Sequence, residues 1–163
     1  MSKILISGYY GFANAGDEAM LTAIIESLRQ VEKNVELTVL SGNPEDTAAK
    51  HQVCSVYRFN PLGIIRAMKD SELIISGGGS LLQDVTSKRS LLYYLSIIGL
   101  GKFFGKKVML FAQGIGPIRA KWARKLTSLV CNEADLITVR DSESAAELIE
   151  MGVKPEKLSL IHI

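Results

Sequence analysis

Four short stretches of this chain bring glycine together with charged, amide or hydroxyl side chains: residues 8–21 (GYYGFANAGDEAML), 77–84 (GGGSLLQD), 112–117 (AQGIGP) and 139–144 (VRDSES). Glycine lets a ligand lie against the backbone, and a helix that starts just after such a loop presents unpaired N–H groups to an anion. Gly11, Gly16, Gly77, Gly78, Gly79 and Gly114, with the polar residues Asn14, Ser80, Gln83 and Gln113, are therefore the candidate binding residues. Asp17 and Arg140 are the charged residues beside them. Gly8, Gly11 and Gly16 are spaced G-x-x-G-x-x-x-x-G, which is neither the dinucleotide fingerprint G-x-G-x-x-G nor the phosphate loop G-x-x-x-x-G-K-[ST]. Gly114 and Gly116 begin a dinucleotide-like pattern, but Arg119 stands where its third glycine belongs. The loops describe an anion-binding cleft without a standard nucleotide signature. Each polar residue also has a plainer role open to it. Asp before a helix is a preferred N-cap, Arg140 can pair with the adjacent Asp141, and Asn, Ser and Gln turn or cap their own backbone.

Loops like these act together only if one frame brings them to one place. Residues 3–7 form a short apolar run that ends at glycine, and across 17–30 the residues Met20, Leu21, Ile24, Ile25 and Leu28 recur at helical spacing. Further strands are expected over 35–40, 53–57, 73–76, 107–112, 136–139 and 158–163. Further helices are expected over 61–69, with Pro at its start, and over 90–104, 121–131 and 142–151, the last closed by Gly152. This alternation predicts an α/β fold with a Rossmann-like, mostly parallel sheet and helices on both faces. Ligands of such sheets bind outside the carboxyl ends of the strands, where the four loops leave them. No repeat, low-complexity tract or linker interrupts the pattern, so residues 1–163 read as one domain.

Composition narrows the function classes. A chain of 163 residues, 47% hydrophobic and 22% charged, buries a real core and is not disordered. Its N-terminus lacks the apolar core of a secretory signal, which predicts a cytoplasmic protein. The apolar run LLYYLSIIGLG falls well short of the roughly 20 residues needed to span a bilayer. It is expected to be a helix packed on the sheet, the alternative being that Tyr93, Tyr94, Phe103 and Phe104 dip into a membrane interface. Cys54 and Cys131 are expected to be buried free thiols, and with His51 and His162 the only histidines, no metal site is expected. The net charge of +2 hides an asymmetry. Residues 85–132 contain no acid and nine basic residues, and the other 10 basic residues and 17 acids lie outside that block. Such a block suits an anionic small molecule, an anionic membrane surface or an ordinary solvated face; no nucleic-acid recognition motif accompanies it.

The ordered motifs GYYGFANAGDEAML, GGGSLLQDVTSKRSLLYY, AQGIGPI and TVRDSESAAELIEMGV resemble the polysaccharide pyruvyl transferase family, in particular its bacterial cell-wall members. The likeness covers essentially the whole chain. It implies one half of a GT-B-type architecture of two Rossmann-type domains, this chain being the N-terminal half and the second domain absent. It further implies transfer of pyruvate as a ketal from phosphoenolpyruvate, a donor substrate rather than a cofactor, to a sugar of a cell-wall glycan or its lipid-linked precursor. Within that chemistry Asp17 is the candidate base for a sugar hydroxyl and Arg140 the clamp for the donor's carboxylate or phosphate, while the general acid is expected in the other half. The resemblance also implies that the 163-residue chain alone is inactive, that an enzyme with a lipid-linked acceptor makes peripheral contact with the inner face of the membrane, and that a homo-oligomer is a possible assembly. Two rival readings are a nucleotide-sugar-dependent glycosyltransferase domain of GT-B type and a non-catalytic module for glycan binding or assembly.

Overall fold

Strand β1 (Lys3–Ser7) is buried along four of its five residues, as a strand covered on both faces must be. A computed structural model describing residues 1–160 places it inside a single eight-stranded sheet. The other strands are β2 (Glu36–Ser41), β3 (Cys54–Tyr57), β4 (Leu73–Ser76), β5 (Gly79–Leu82), β6 (Lys107–Ile115), β7 (Leu136–Val139) and β8 (Leu158–Leu160). The helices are α1 (Ala15–Val31), α2 (Pro44–His51), α3 (Pro61–Asp70), α4 (Lys88–Phe103), α5 (Lys121–Glu133) and α6 (Ser142–Met151). The strand order is β3-β2-β1-β4-β6-β7-β8, with β5 paired to β6, and every pairing is parallel. The chain runs outward from β1 to β3, then returns to the other side of β1 to build β4 onward. The crevice between the carboxyl ends of β1 and β4 is thus the point where the winding reverses, the usual ligand position in such sheets.

Alternate residues of the central strands feed two cores. Ile4, Ile6, Leu37, Val39 and Ile75 pack with Leu21, Ile24 and Ile25 of α1, and α2 lies beside α1, where Arg29 Nη2 donates to the carbonyls of His51 (3.3 Å) and Gln52 (2.8 Å). On the opposite face Leu5, Leu40 and Ile74 join Ile64 and Met68 of α3, Leu91, Leu95 and Ile98 of α4, Cys131 of α5 and Leu148 of α6. Helices cover both faces, as the alternation predicts. Replacing Leu5 by alanine would cost about 2–5 kcal/mol, the range for a fully buried leucine.

Three differences from the sequence reading have physical causes. Helix α2 was not expected because it buries only Thr47 and His51 and carries no apolar stripe; Asn43 caps it and Pro44 starts it. Strand β5 was not expected either, because glycine opens it. Its register shows what it is: Leu73 pairs with Lys107 and Gly79 with Gln113, the same offset (107 − 73 = 34, 113 − 79 = 34), so β4 and β5 are one strand interrupted at Gly77 and Gly78 along a β6 that continues to Ile115. Cys54 is exposed on the edge strand β3, contrary to the expectation of two buried thiols, whereas Cys131 is buried, and burial pushes its thiol up to about 12. Of the expected last strand, residues 158–160 are strand and 161–163 lie outside the described residues.

Part of the basic block is neutralised in the fold. Lys88 and Lys102, at opposite ends of α4, stand roughly 21 Å apart along its axis at about 1.5 Å per residue. Lys102 and Lys107 lie 2.8 Å and 4.0 Å from Asp135, and Arg124 pairs with Glu147, so acids outside the block neutralise part of it. Helix α4 does pack on the sheet. Tyr94 is 3% exposed, Tyr93 and Phe104 are half-buried, and only Phe103 of the four aromatic residues stands in solvent. Among the described residues no helix is long and apolar enough to cross a membrane.

Candidate active-site cleft

The β1–α1 loop is built around one tyrosine. Tyr10 turns inward and is fully buried, so a side chain at Gly8 or Gly77 would overlap its ring or hydroxyl. This contact locks the β1 loop to the glycine break between β4 and β5, reinforced by the Gly77 N–H donating to the Ser7 carbonyl at 2.6 Å. Burial and then the nearby Asp17 carboxylate push the Tyr10 hydroxyl well above the ordinary phenol range, so it stays neutral. Gly11, at φ +84°, sits where a Cβ would strike Ser41, and its N–H donates to Glu18 Oε1 at 2.9 Å. Glu18 in turn lies 3.1 Å from His51 Nε2, tying the loop to α2.

Asp17 and Arg140 both reach the GGGS turn. Asp17 Oδ1 lies 3.0 Å from the point a Cβ of Gly79 would occupy, and Arg140 Nη2 donates to Ser80 Oγ at 3.0 Å. Asp17 is not the helix cap. Asn14 is: its Oδ1 accepts from the Asp17 N–H at 3.1 Å. The Asp17 carboxylate is thereby left without a hydrogen-bond donor among the described residues, and burial, then the neighbouring Glu18, raises its pKa. A carboxylate with a raised pKa and unused lone pairs is suited to accept a proton. Arg140 lies across Gly114, where any side chain would overlap the guanidinium, and its Nε is 3.4 Å from Asp141. The Asp141 pair and the Ser80 contact therefore coexist.

A cavity of about 350 Å³ opens here, lined by Tyr9, Asp17, Ser80, Leu81, Gln83, Thr86, Ser90 and Tyr94. Of the expected residues, Asp17, Ser80 and Gln83 reach it, although Gln83 Oε1 also accepts from the Thr86 N–H at 2.9 Å. Arg140 lines a neighbouring cavity with Asp141, Glu143 and Glu147. Gln113 does neither. It is fully buried and its Nε2 donates to the Ser76 carbonyl at 3.0 Å and to the Gly77 carbonyl, holding the glycine break from beneath. Gly78 packs on Met20, and Gly16 lies exposed in the first turn of α1. Tyr9, Thr86, Ser90 and Tyr94 are lining residues the sequence reading passed over; the adjacent pair Tyr93–Tyr94 was the visible signal, read as a packing or interface feature.

Asp84 was also passed over. Its carboxylate accepts from the backbone N–H of Arg119 and of Ala120 at 3.0 Å each. Helix α5 has no side-chain cap of its own at Ala120, so Asp84 supplies one from another loop. The N–H groups of Ala120 and then Arg119 hold its pKa below the usual carboxylate range. Another cavity, about 300 Å³, lies at the amino ends of the strands beside Lys3, Glu36, Cys54 and Asp70, the edge where helix N-termini do not point. The cleft at the carboxyl ends is the better site on that ground. No group of three or more His, Cys, Asp or Glu gathers to hold a metal among the described residues.

A model of one protein family, polysaccharide pyruvyl transferase, matches residues 14–161. The chain belongs to that family. A sequence search of curated proteins finds no match. Among solved structures, Anabaena HepE in complex with UDP-glucose superposes with a TM-score of 0.66 at 14% identity, over 99% of this chain and 44% of that one. UDP-GlcNAc 2-epimerase from Neisseria meningitidis superposes at 0.59 with 12% identity, over 98% of this chain and 45% of that one. The lipopolysaccharide outer core galactosyltransferase WaaB superposes at 0.55 with 15% identity, over 96% and 44%. At these identities the likeness establishes the fold alone, a parallel α/β sheet covered by helices. The chain spans less than half the length of these structures.

Proposed function

We propose that this chain forms one wall of a two-domain cleft in which pyruvate passes from phosphoenolpyruvate, as a ketal, to a sugar of a cell-wall glycan or its lipid-linked precursor. The observation that carries the reading is that a carboxylate without a protein donor, Asp17, and a guanidinium, Arg140, reach adjacent residues of the GGGS turn, Gly79 and Ser80, in a chain of the pyruvyl transferase family. The reaction adds a proton to the donor's methylene carbon, joins one sugar hydroxyl to the adjacent carbon, expels phosphate and closes through a second hydroxyl. Asp17 accepts the hydroxyl proton. Arg140, with Ser80 beside it, takes the donor's carboxylate or phosphate, the geometry for which a guanidinium fork is suited. The acid that protonates the methylene carbon comes from the facing domain. The enzyme works in the cytoplasm, where phosphoenolpyruvate is made.

The HepE complex holds UDP-glucose, which keeps a nucleotide-sugar donor as the second reading. The two are separated by titrating the two-domain protein with phosphoenolpyruvate and with UDP-sugars, then following phosphate release with a cell-wall disaccharide. Saturable phosphoenolpyruvate binding and phosphate release support pyruvyl transfer. Binding of UDP-sugar alone, with no phosphate released, overturns it. The 163-residue chain by itself should release no phosphate above background, and turnover by that chain would overturn the two-wall arrangement.

A further inference from the structure

Arg58 follows β3 and is 5% exposed, yet among the described residues no carboxylate lies within ion-pair distance of it. Its Nε is buried without a hydrogen-bond partner. Aromatic rings surround it instead. The guanidinium carbon lies 4.5 Å from the ring centre of Tyr93, 4.9 Å from Phe59 and 5.3 Å from Phe12. Rings stabilise a cation through their faces, and the Tyr93 and Tyr94 hydroxyls lie beside the guanidinium, but none of these neutral groups balances its charge. A charge held this deep without an acid is costly, which suits a position that meets an anion from outside the chain.

Arg58 stands at the head of an apolar groove of about 240 Å³ between α3 and α4, walled by Pro61, Ile64, Ile65, Ile97 and Leu100. A second apolar groove, about 320 Å³, runs down the other flank of α4 past Leu92, Gly99, Leu126 and Val130. Both grooves include Ser96 and Leu100, so the two adjoin across the outer face of α4, with a cation at the far end of the first. No acid lines either groove. Gly99 borders the second groove, and a Cβ there would meet no atom within 4 Å.

We propose that these adjoining grooves bind an anionic amphiphile with a hydrocarbon chain, an alkyl or isoprenyl phosphate, its phosphate on Arg58 and its chain laid across Leu100. The charge complement is one unpaired guanidinium, the group that takes phosphate through two parallel hydrogen bonds. The first groove, about 240 Å³, falls below the roughly 300–1,000 Å³ of ordinary ligand sites and the second, about 320 Å³, at its lower end, a fit for a narrow chain that uses both. The inference stands independently of the donor chemistry assigned to the cleft.

The test is calorimetric titration of the 163-residue chain with octyl phosphate below its aggregation threshold. Octyl glucoside, with the same chain and an uncharged head, and inorganic phosphate, with no chain, serve as controls. Octyl phosphate should bind at least tenfold more tightly than either. Gly99→Leu puts an apolar side chain into the second groove from a position whose Cβ meets no atom within 4 Å and should weaken octyl phosphate binding at least tenfold while the melting temperature holds. Arg58→Gln should reduce octyl phosphate to the level of octyl glucoside, and if that variant does not fold, Gly99→Leu decides. Equal binding of octyl glucoside, equal binding of inorganic phosphate, or binding untouched by Gly99→Leu would each overturn the proposal. So would adsorption to anionic vesicles without octyl phosphate binding, which would make this face a membrane contact.

Discussion

Asp17 and Asp84 stand on neighbouring loops of the same rim, and their surroundings act on them in opposite directions. Asp84 spends its acceptor capacity on the backbone N–H groups of Arg119 and Ala120, which lower its pKa. Asp17 has no such donor because Asn14 performs the capping, and partial burial raises its pKa. One carboxylate is occupied in joining two loops; the other is held charged against its preference beside an open cavity. The difference teaches how to tell a structural acid from a chemical one: count the donors already aimed at it before asking what it faces.

The largest expected effect follows from removing the free carboxylate. Asp17→Asn in the two-domain enzyme should lower turnover at least about 100-fold, since a positioned base contributes about 10²–10⁴. Stability should hold or rise slightly. A carboxyl whose folded pKa is raised favours folding when protonated and loses that contribution as pH climbs through the folded value, and asparagine removes the charge altogether. Unchanged turnover would return Asp17 to the status of an ordinary first-turn acid and erase the contrast with Asp84. Next in size is Arg140→Gln. Losing hydrogen bonds to a charged group costs about 1.5–3 kcal/mol, so the KM for phosphoenolpyruvate should rise roughly 10- to 100-fold with a smaller change in kcat. A KM that stays put would mean that Arg140 serves only Ser80 and Asp141.

Asp84→Ala should show the reverse profile. The loss of a helix cap costs about 0.5–2 kcal/mol, seen as a lower melting temperature, while the turnover of the folded fraction stays close to normal. Its pH dependence sharpens the contrast. Because the folded pKa of Asp84 is depressed, its contribution is present above the unfolded value of about 3.9 and lost as pH falls through the folded one. Asp141, lowered by the Ser144 N–H, behaves the same way. Melting temperature measured below pH 4 should therefore fall less steeply in Asp84→Ala than in the parent chain. Equal slopes would show that the Asp84 contacts contribute nothing to folding.

What could be read in the sequence was what repeats or alternates. The parallel sheet followed from apolar runs such as residues 3–7 and 73–76, and the cleft followed from glycines placed after them. Long-range partners could not be read. Asp84 caps a helix 36 residues further on, Gln113 reaches back to Gly77, and Tyr10 explains two glycines at once; none of these pairings leaves a local pattern. Capping was open to Asn14 and to Asp17 alike, because both types cap helices and only the backbone shows which of them stands at the first turn. Arg58 was invisible for the opposite reason: one arginine among scattered charges gives no hint that five rings fold around it.

The smallest effect concerns the basic residues far from the cleft. Read along the chain, residues 85–132 suggest a positive face that holds the enzyme on an anionic membrane, where each Lys or Arg contributes about 1 kcal/mol within a Debye length of about 8 Å. Folded, the block is divided. Lys102 and Lys107 share Asp135, Lys106 donates to the Lys69 carbonyl at 2.8 Å, and Lys88 and Arg89 lie at the other end of α4. Replacing Lys102, Lys106 and Lys107 by glutamine should therefore change co-sedimentation with anionic vesicles only slightly, and the parent chain should show little more salt-sensitive binding than it does to neutral vesicles. A strong, salt-sensitive preference for anionic vesicles that the triple variant abolishes would show that these lysines leave Asp135 for the lipid. The far edge of the sheet, and not the cleft rim alone, would then take part in bringing the acceptor to the enzyme.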